Sequence, residues 1–140
     1  MFSDLPFSEQ LVLWGCRMWA KAYNQNLNFS GMLREAFRIA GVPAAFESLH
    51  SIMEIFSAGS SGAIDIRLPE CAEVSTDEHC ILGAIAVCQF EDDRTISERY
   101  LQSWLPPAAL RILRKPAMEL ANALKEGKLF LRRRPWPLPL

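Results

Sequence analysis

Residues 75–90 have the sequence STDEHCILGAIAVCQF, which joins a polar start to a long apolar run. Ser75 and Glu78 have the spacing of a capping box, in which each side chain bonds the other residue's backbone amide at the start of a helix. Residues 81–87 are apolar on every side of a helix, and such a helix is normally buried all round. The stretch therefore predicts a central helix on which the rest of the chain packs.

Before this segment, apolar residues at intervals of three and four predict three further helices. The first should cover residues 6–23. The second should start near Asn28 or Ser30 and end at Gly41, and the third should start at Pro43, so that these two form a tight antiparallel hairpin. The apolar stripes behind these predictions are Phe7, Leu11, Trp14 and Met18, then Met32, Leu33, Ala36, Phe37 and Ala40, then Phe46, Leu49, Ile52, Met53 and Phe56.

After the central helix, the acidic run 91–93 should end it, and a second capping box at Thr95 and Glu98 should start the next helix. Pro107 suits the first turn of another helix. Pro116 is expected to break or kink that helix, because proline cannot donate a backbone hydrogen bond. The expected apolar sides are Tyr100, Leu101, Trp104 and Leu105, followed by Leu110, Ile112, Leu113, Leu120 and Leu124.

The clearest interruption is residues 57–74. A Gly- and Ser-rich turn is followed by AIDIRL at residues 63–68, where apolar and charged residues alternate with the period of a strand. No second strand-like run is present to pair with it, and a lone strand pairs best with its own copy in another chain. The predicted fold class is therefore all-α, an irregular bundle of six or seven short helices with one possible short extended segment near residues 63–68.

The last segment, residues 128–140, has the sequence KLFLRRRPWPLPL, whose alternate prolines exclude a helix and favour an extended, polyproline-like arm. Residues 1–104 carry 7 Lys and Arg against 14 Asp and Glu, whereas residues 105–140 carry 8 against 2. We therefore expect a helical bundle domain over residues 1–127. A basic, Pro-rich C-terminal arm over residues 128–140 should pack on that domain or on a partner subunit.

Composition limits the class of protein. The chain has 140 residues, of which 50% are hydrophobic and 22% charged, with a formal net charge of −1. This supports one packed domain and gives no overall attraction to nucleic acid. The most apolar run, residues 80–90, is shorter than the ~20 residues that span a bilayer. The N-terminal residues also lack the pattern of a signal peptide. The sequence therefore predicts a cytoplasmic protein, with no membrane contact and with cysteines that serve as thiols rather than disulfides.

Candidate chemistry is sparse. Cys71, His79 and Cys80 combine ligand types that bind zinc. However, the side chains of two adjacent helical residues diverge by about 100°, so Cys16 or His50 would have to complete the site. Cys71 could alternatively be a reactive thiol near a helix N-terminus. The chain has no catalytic triad pattern and no phosphate-binding loop, and it predicts neither a catalytic residue nor a cofactor.

These features favour a small non-enzymatic helical protein that acts through self-association, with a homodimer expected, and through protein–protein interaction. The partner surface should be formed by residues 59–74 and the arm, where Arg132, Arg133, Arg134 and Trp136 are the predicted interaction residues for an acidic protein partner. One alternative is a thiol- or metal-dependent site around Cys71, His79 and Cys80. A further alternative is nucleic-acid binding through the basic arm, which its sparse aromatic residues disfavour.

Overall fold

The computed structural model describes residues 1–90 and 94–135, and this part of the chain is helical with no strand. The predicted all-α class is confirmed. A short 3-10 turn at Phe2–Asp4 precedes the first α-helix. The six helices are α1 (Phe7–Gln25), α2 (Ser30–Ile39), α3 (Ala45–Gly59), α4 (Thr76–Phe90), α5 (Arg94–Arg99) and α6 (Pro107–Glu126).

The α4 helix is central, and residues 80–87 are all buried. The predicted capping box is present at its start. Ser75 Oγ accepts from the Glu78 amide at 3.0 Å, and Glu78 Oε1 accepts from the Ser75 amide at 3.0 Å. Helices α1, α5 and α6 all pack on α4, while α3 lies against α1, α2 and α6. The fully buried apolar side chains at the centre include Leu13, Phe37, Leu49, Leu82, Leu120 and Leu124.

The predicted tight turn between α2 and α3 is confirmed. Gly41 has a φ of 83°, which a residue with a side chain adopts only with strain. Its amide donates to the Arg38 carbonyl at 3.0 Å, and the Val42 amide donates to the Phe37 carbonyl at 2.9 Å. This pair of bonds is a Schellman motif, which satisfies the last carbonyls of α2 and turns the chain sharply into α3.

Of the two outcomes predicted at Pro116, a break is wrong, because this proline lies inside the continuous helix α6. Proline removes the hydrogen bond to the carbonyl four residues earlier, which belongs to Ile112. The side chain of Ile112 is 65% exposed, which places that carbonyl toward the solvent side of the helix, where water can bond it. The remainder of α6 is held in place by its packing on α3 and α4.

Residues 63–68 form no strand in the described part of the chain. Their backbone groups bond side chains at the start of α4 instead. The Asp65 amide donates to Asp77 Oδ2 at 2.7 Å, the Arg67 amide donates to Glu78 Oε2 at 3.2 Å, and Ser75 Oγ donates to the Asp65 carbonyl. The alternating pattern therefore belongs to an irregular loop whose polar groups have partners within the same chain.

The helix predicted to start at Thr95 is shorter than expected and begins at Arg94, so Thr95 lies inside it rather than before it. From Tyr100 to Leu105 the chain follows tight turns, such as the bond from the Trp104 amide to the Leu101 carbonyl. The predicted apolar residues here are nevertheless buried. The acidic run 91–93, expected to end α4, lies outside the described residues.

Three residues assigned to apolar stripes are exposed instead: Phe7, Met32 and Ile112. Phe7 and Met32 lie in the first turns of α1 and α2, and Ile112 lies in α6. The described residues contain no helix that is both long enough and apolar enough to cross a bilayer.

Replacing Gly83 by alanine is expected to destabilise the fold by about 1–3 kcal/mol, although alanine is the better helix former. A Cβ added at Gly83 would lie 2.6 Å from the ring of Tyr100, which is buried between α4 and the strap described below. Gly31, in α2, has no atom within 4 Å of the corresponding position. Urea unfolding should show a loss for Gly83→Ala and none for Gly31→Ala, and equal midpoints would contradict the close packing.

Candidate functional site

Residues 128–135, which we call the strap, run across α1 and α4 of their own chain. Leu131 is only 1% exposed, and its amide donates to Gln89 Oε1 at 2.8 Å. Gln89 Nε2 in turn donates to the Leu129 carbonyl at 3.0 Å. On the α1 side, Ser8 Oγ donates to the Phe130 carbonyl at 2.6 Å. The strap therefore satisfies buried polar groups of two helices and closes over the core between them.

The anchor of the strap is Glu9, whose carboxylate is fully buried in the first turns of α1. It accepts from the Arg132 amide at 2.8 Å, from Arg132 Nη2 at 3.0 Å and from Arg134 Nη2 at 2.7 Å. Burial acts to raise the pKa of Glu9, but the hydrogen bonds from Arg132 and Arg134 outweigh it and lower the pKa to about 2. Two of the three arginines predicted for an acidic partner thus share one carboxylate of their own chain.

Arg133 points away from this anchor. Its guanidinium lies over the ring of Phe90 at 4.9 Å from the centroid, and Phe90 stacks on Phe130 with centroids 5.9 Å apart. Trp136, the fourth predicted interaction residue, lies outside the described residues. Binding of a partner by these four residues therefore stays a prediction.

The thiol and metal candidates are held in different surroundings. Cys71 is partly exposed in the loop, whereas Cys80 is buried in α4. Burial, followed by the nearby Asp77, raises the pKa of Cys80. His79 accepts from Arg134 Nε at Nδ1, at 3.3 Å. Within residues 1–90 and 94–135, no three His, Cys, Asp or Glu side chains lie close enough to share a metal ion, and no disulfide joins the described cysteines.

A buried ion pair joins α1 to the start of α4. Arg17 and Glu78 are both fully buried, and Arg17 Nε donates to Glu78 Oε2 at 2.8 Å. The remaining guanidinium donors bond the carbonyls of Cys71 and Glu73 at 2.8 and 2.7 Å. Almost every polar atom of the pair has a partner. The pair therefore has a structural role, which is to hold the loop end at Cys71 and Glu73 against α1.

The surface best suited to binding lies at the far end of α1. Trp19 and Tyr23 stack with ring centroids 5.4 Å apart and nearly parallel planes. Together they separate two clefts of about 330 and 290 Å³. The aromatic cleft, between α1, α2 and α3, is lined by residues that include Trp19, Tyr23, Leu27, Phe29, Leu33 and His50. The loop cleft is lined by the other side of Trp19 and Tyr23, by Met53 and Phe56 of α3, and by Ser60, Gly62, Ile64 and Ile66.

The ring of Trp19 is held in place by a chain of polar contacts. Trp19 Nε1 donates to His50 Nδ1 at 2.9 Å, and His50 Nε2 lies 3.2 Å from Glu54 Oε1. This arrangement places the histidine proton on Nε2, where it faces the carboxylate. Both imidazole nitrogens are therefore engaged, which leaves His50 as a support for the indole rather than a free base.

Sequence reasoning missed this surface. It considered His50 as a possible metal ligand and left Trp19 outside the apolar stripe predicted for the first helix. The only local signal was the spacing of Trp19 and Tyr23, which puts two aromatic rings on one helix face. The contribution of His50 depends on how α3 packs against α1, which no local pattern contains.

The two clefts have the composition of a recognition surface, with aromatic walls and a few polar groups at the rim. The strap, in contrast, uses its arginines to hold its own chain together. Comparison of the chain with protein-family models, with curated proteins and with solved structures gives no match.

Proposed function

We propose that the protein is a non-enzymatic, cytoplasmic interaction domain that self-associates, and that it binds through the aromatic cleft and the adjoining loop cleft. The observation that carries this proposal is the half-buried indole of Trp19, which stands between the two clefts and is held there by His50. Binding surfaces that are ordered before the partner arrives lose less entropy on association.

The exposed side chains around the clefts support binding. Tyr23 is 63% exposed and Leu27 45% exposed, although both are large enough to bury substantial apolar area. Tyrosine and tryptophan are enriched at the energetic centres of protein interfaces because they combine a large apolar surface with a polar group. A partner that covered this surface would remove both residues from water.

The same surface gives little support to catalysis. His50 has both ring nitrogens engaged, and the rim groups near it, such as Asn26 and Ser30, are uncharged. The volumes of the two clefts lie near the lower limit of about 300 Å³ for pockets that enclose small ligands. Shallow, neighbouring clefts of this kind suit the side chains of an extended segment.

The proposal assigns the arginines of the arm to the strap rather than to an acidic partner, because Glu9 already bonds Arg132 and Arg134. In the cytoplasmic setting that we propose, the cysteines remain reduced. No specific observation supports a metal site or nucleic-acid binding.

Replacing Tyr23 by alanine should weaken self-association at least about tenfold, since a central aromatic residue of an interface often contributes 2 kcal/mol or more. Its exposure means that the fold should tolerate the change. Phe7→Ala is the matched control, because Phe7 is also an exposed aromatic residue of α1, at 58%, and lies outside both clefts.

Sedimentation equilibrium over a concentration series that reaches tens of micromolar gives the dissociation constants. We expect the wild-type protein and Phe7→Ala to associate equally, and Tyr23→Ala to remain largely monomeric. A strictly monomeric wild-type protein would overturn the proposed self-association, and equal association of all three proteins would exclude the clefts as its site.

A further inference from the structure

We infer that the occupant of the two clefts is the Pro-rich segment 135–140 of a second copy of this chain. The segment would lie across Trp19 and Tyr23 in a polyproline II conformation, and each copy would bind the segment of the other. This inference rests on the proposed function, because it names the partner of the same surface.

The chemistry of the segment matches the surface. Residues 135–140 have the sequence PWPLPL, in which every second residue is proline. A polyproline II segment is already extended before it binds, so docking orders it at little entropic cost, and such segments bind grooves walled by aromatic side chains. Trp136 and Leu138 are the two large apolar side chains between the prolines, and each of the two clefts that Trp19 and Tyr23 line also has aliphatic and aromatic side chains in its wall that such a residue could contact.

The strap determines where the segment leaves the body. Arg134 is held on both sides, because its guanidinium bonds Glu9 and its carbonyl accepts from the Tyr100 hydroxyl. Pro135, the next residue, is exposed. Among the described residues, the chain is therefore anchored as far as Arg134, beside the first turn of α1, and reaches the surface at Pro135, after which residues 136–140 follow.

From there, the segment is too short to lie across the clefts of its own chain. Trp19 follows Glu9 by ten residues and Tyr23 follows it by fourteen, which corresponds to about 15 and 21 Å along α1. Trp19 also lies on a different side of the helix, roughly 80° away from Glu9 around the axis. Residues 136–140 extend over only about 16 Å in a polyproline II conformation. They would therefore end before they could lie across both Trp19 and Tyr23.

A second copy removes this limit, since its segment can approach the clefts directly. Two copies related by a two-fold axis would each supply one segment and one pair of clefts, and both contacts would be identical. The second contact would then form within an existing complex, which raises the overall affinity above that of a single segment.

The test uses two full-length variants that each lack one half of the contact. Tyr23→Ala keeps the segment and damages the clefts. The double variant Trp136→Ala/Leu138→Ala keeps the clefts and removes the large side chains of the segment. Its far-UV circular dichroism should match that of the wild-type protein, because the substitutions leave the described anchors of the strap, at Ser8, Glu9 and Gln89, unchanged. Each variant alone should associate at least about tenfold more weakly than the wild type, whereas an equimolar mixture should form a heterodimer through its one intact contact.

A fluorescein-labelled peptide of residues 134–140, RPWPLPL, provides a second measurement by fluorescence anisotropy. It should bind the double variant, whose clefts are unoccupied, and lose at least about tenfold in affinity when Tyr23→Ala is added. Should the double variant fail to fold, competition of the unlabelled peptide against association of the wild-type protein replaces it.

The outcomes separate the two proposals. Tyr23-dependent association that survives Trp136→Ala/Leu138→Ala unchanged, with no peptide binding, would overturn the inference and leave the proposed function standing with another occupant. A wild-type protein that stays monomeric and does not bind the peptide would overturn both. Peptide binding that is indifferent to Tyr23→Ala would place the segment on a different surface and also overturn the inference.

Discussion

Replacement of Arg17 by methionine is expected to lower the free energy of unfolding by about 3–5 kcal/mol, since removal of one partner leaves the other charge buried and uncompensated. Glu78 is fully buried and would lose both hydrogen bonds from the guanidinium. The carbonyls of Cys71 and Glu73 would lose their donors as well, so the end of the loop would come away from α1. Urea unfolding at neutral pH measures the loss.

A second change should recover much of this loss. In Arg17→Met/Glu78→Gln the buried charge is removed, while the glutamine carbonyl can still accept from the Ser75 amide and preserve the capping box. We expect the double variant to be more stable than Arg17→Met alone, because a neutral buried amide costs less than an unpaired carboxylate. A loss below about 1 kcal/mol for Arg17→Met would show that the pair carries little of the stability.

The features that the sequence predicts well are those encoded over a few residues. The Ser75–Glu78 capping box requires only a spacing of three, and the all-round apolar character of residues 81–87 requires only a single helix. Gly41 ends α2 as predicted because a left-handed residue at this position is a local steric requirement. Each of these elements would be recognised in any protein that contained it.

The predictions that failed depend on neighbours distant in sequence. Pro116 stays inside a helix because α6 packs on α3 and α4 and has buried residues on both sides of this proline, which outweighs the local cost of proline. Residues 63–68 have the alternation of a strand, but the amides of Asp65 and Arg67 bond Asp77 and Glu78 instead of a neighbouring strand. Local pattern gives the tendency in both cases, and tertiary contacts decide the outcome.

The residues of the candidate site also differ in whether a local sequence pattern predicts them. The charge difference between residues 1–104 and 105–140 indicates that the arm meets acidic groups, but nothing in the sequence selects Glu9, which lies 123 residues before Arg132 and has the spacing of an ordinary surface residue. The support of Trp19 by His50 likewise depends on the packing of two helices. Partners brought together only by the fold could not be predicted from the spacing of residues.

Acidification should release the strap, and Glu9 should account for much of the effect. Its pKa is lowered from 4.5 to about 2 in the folded protein, so the unfolded chain takes up a proton before the folded chain does. The stabilisation is therefore complete above about pH 4.5 and is lost as the pH falls toward 2. A difference of this size corresponds to roughly 3 kcal/mol between neutral and strongly acidic conditions.

Protonation of His79 also lowers the stability on acidification, but at a higher pH than protonation of Glu9. The two effects therefore have to be measured separately. Burial and the adjacent Arg134 lower the pKa of His79, so its protonation begins to destabilise the fold as the pH falls below the ordinary value of 6.5. Arg134 faces it from the strap, while Glu9 on α1, Glu78 on α4 and the chain N-terminus also act on it. His79→Gln removes this titration and keeps an oxygen that can accept from Arg134 Nε, so it is the background in which Glu9 is best tested.

In that background, Glu9→Gln should lower the free energy of unfolding by about 3 kcal/mol at pH 7. The reason is that Arg134, which is mostly buried, would lose its counter-charge. The variant should also show a much flatter dependence of the unfolding free energy between pH 4.5 and 2 than the protein with Glu9. Chemical denaturation at a series of pH values gives both quantities. If Glu9→Gln leaves the slope over this interval unchanged, the acid sensitivity belongs to other carboxylates, and the strap is held by Gln89, Ser8 and the burial of Leu131 rather than by its ion pairs.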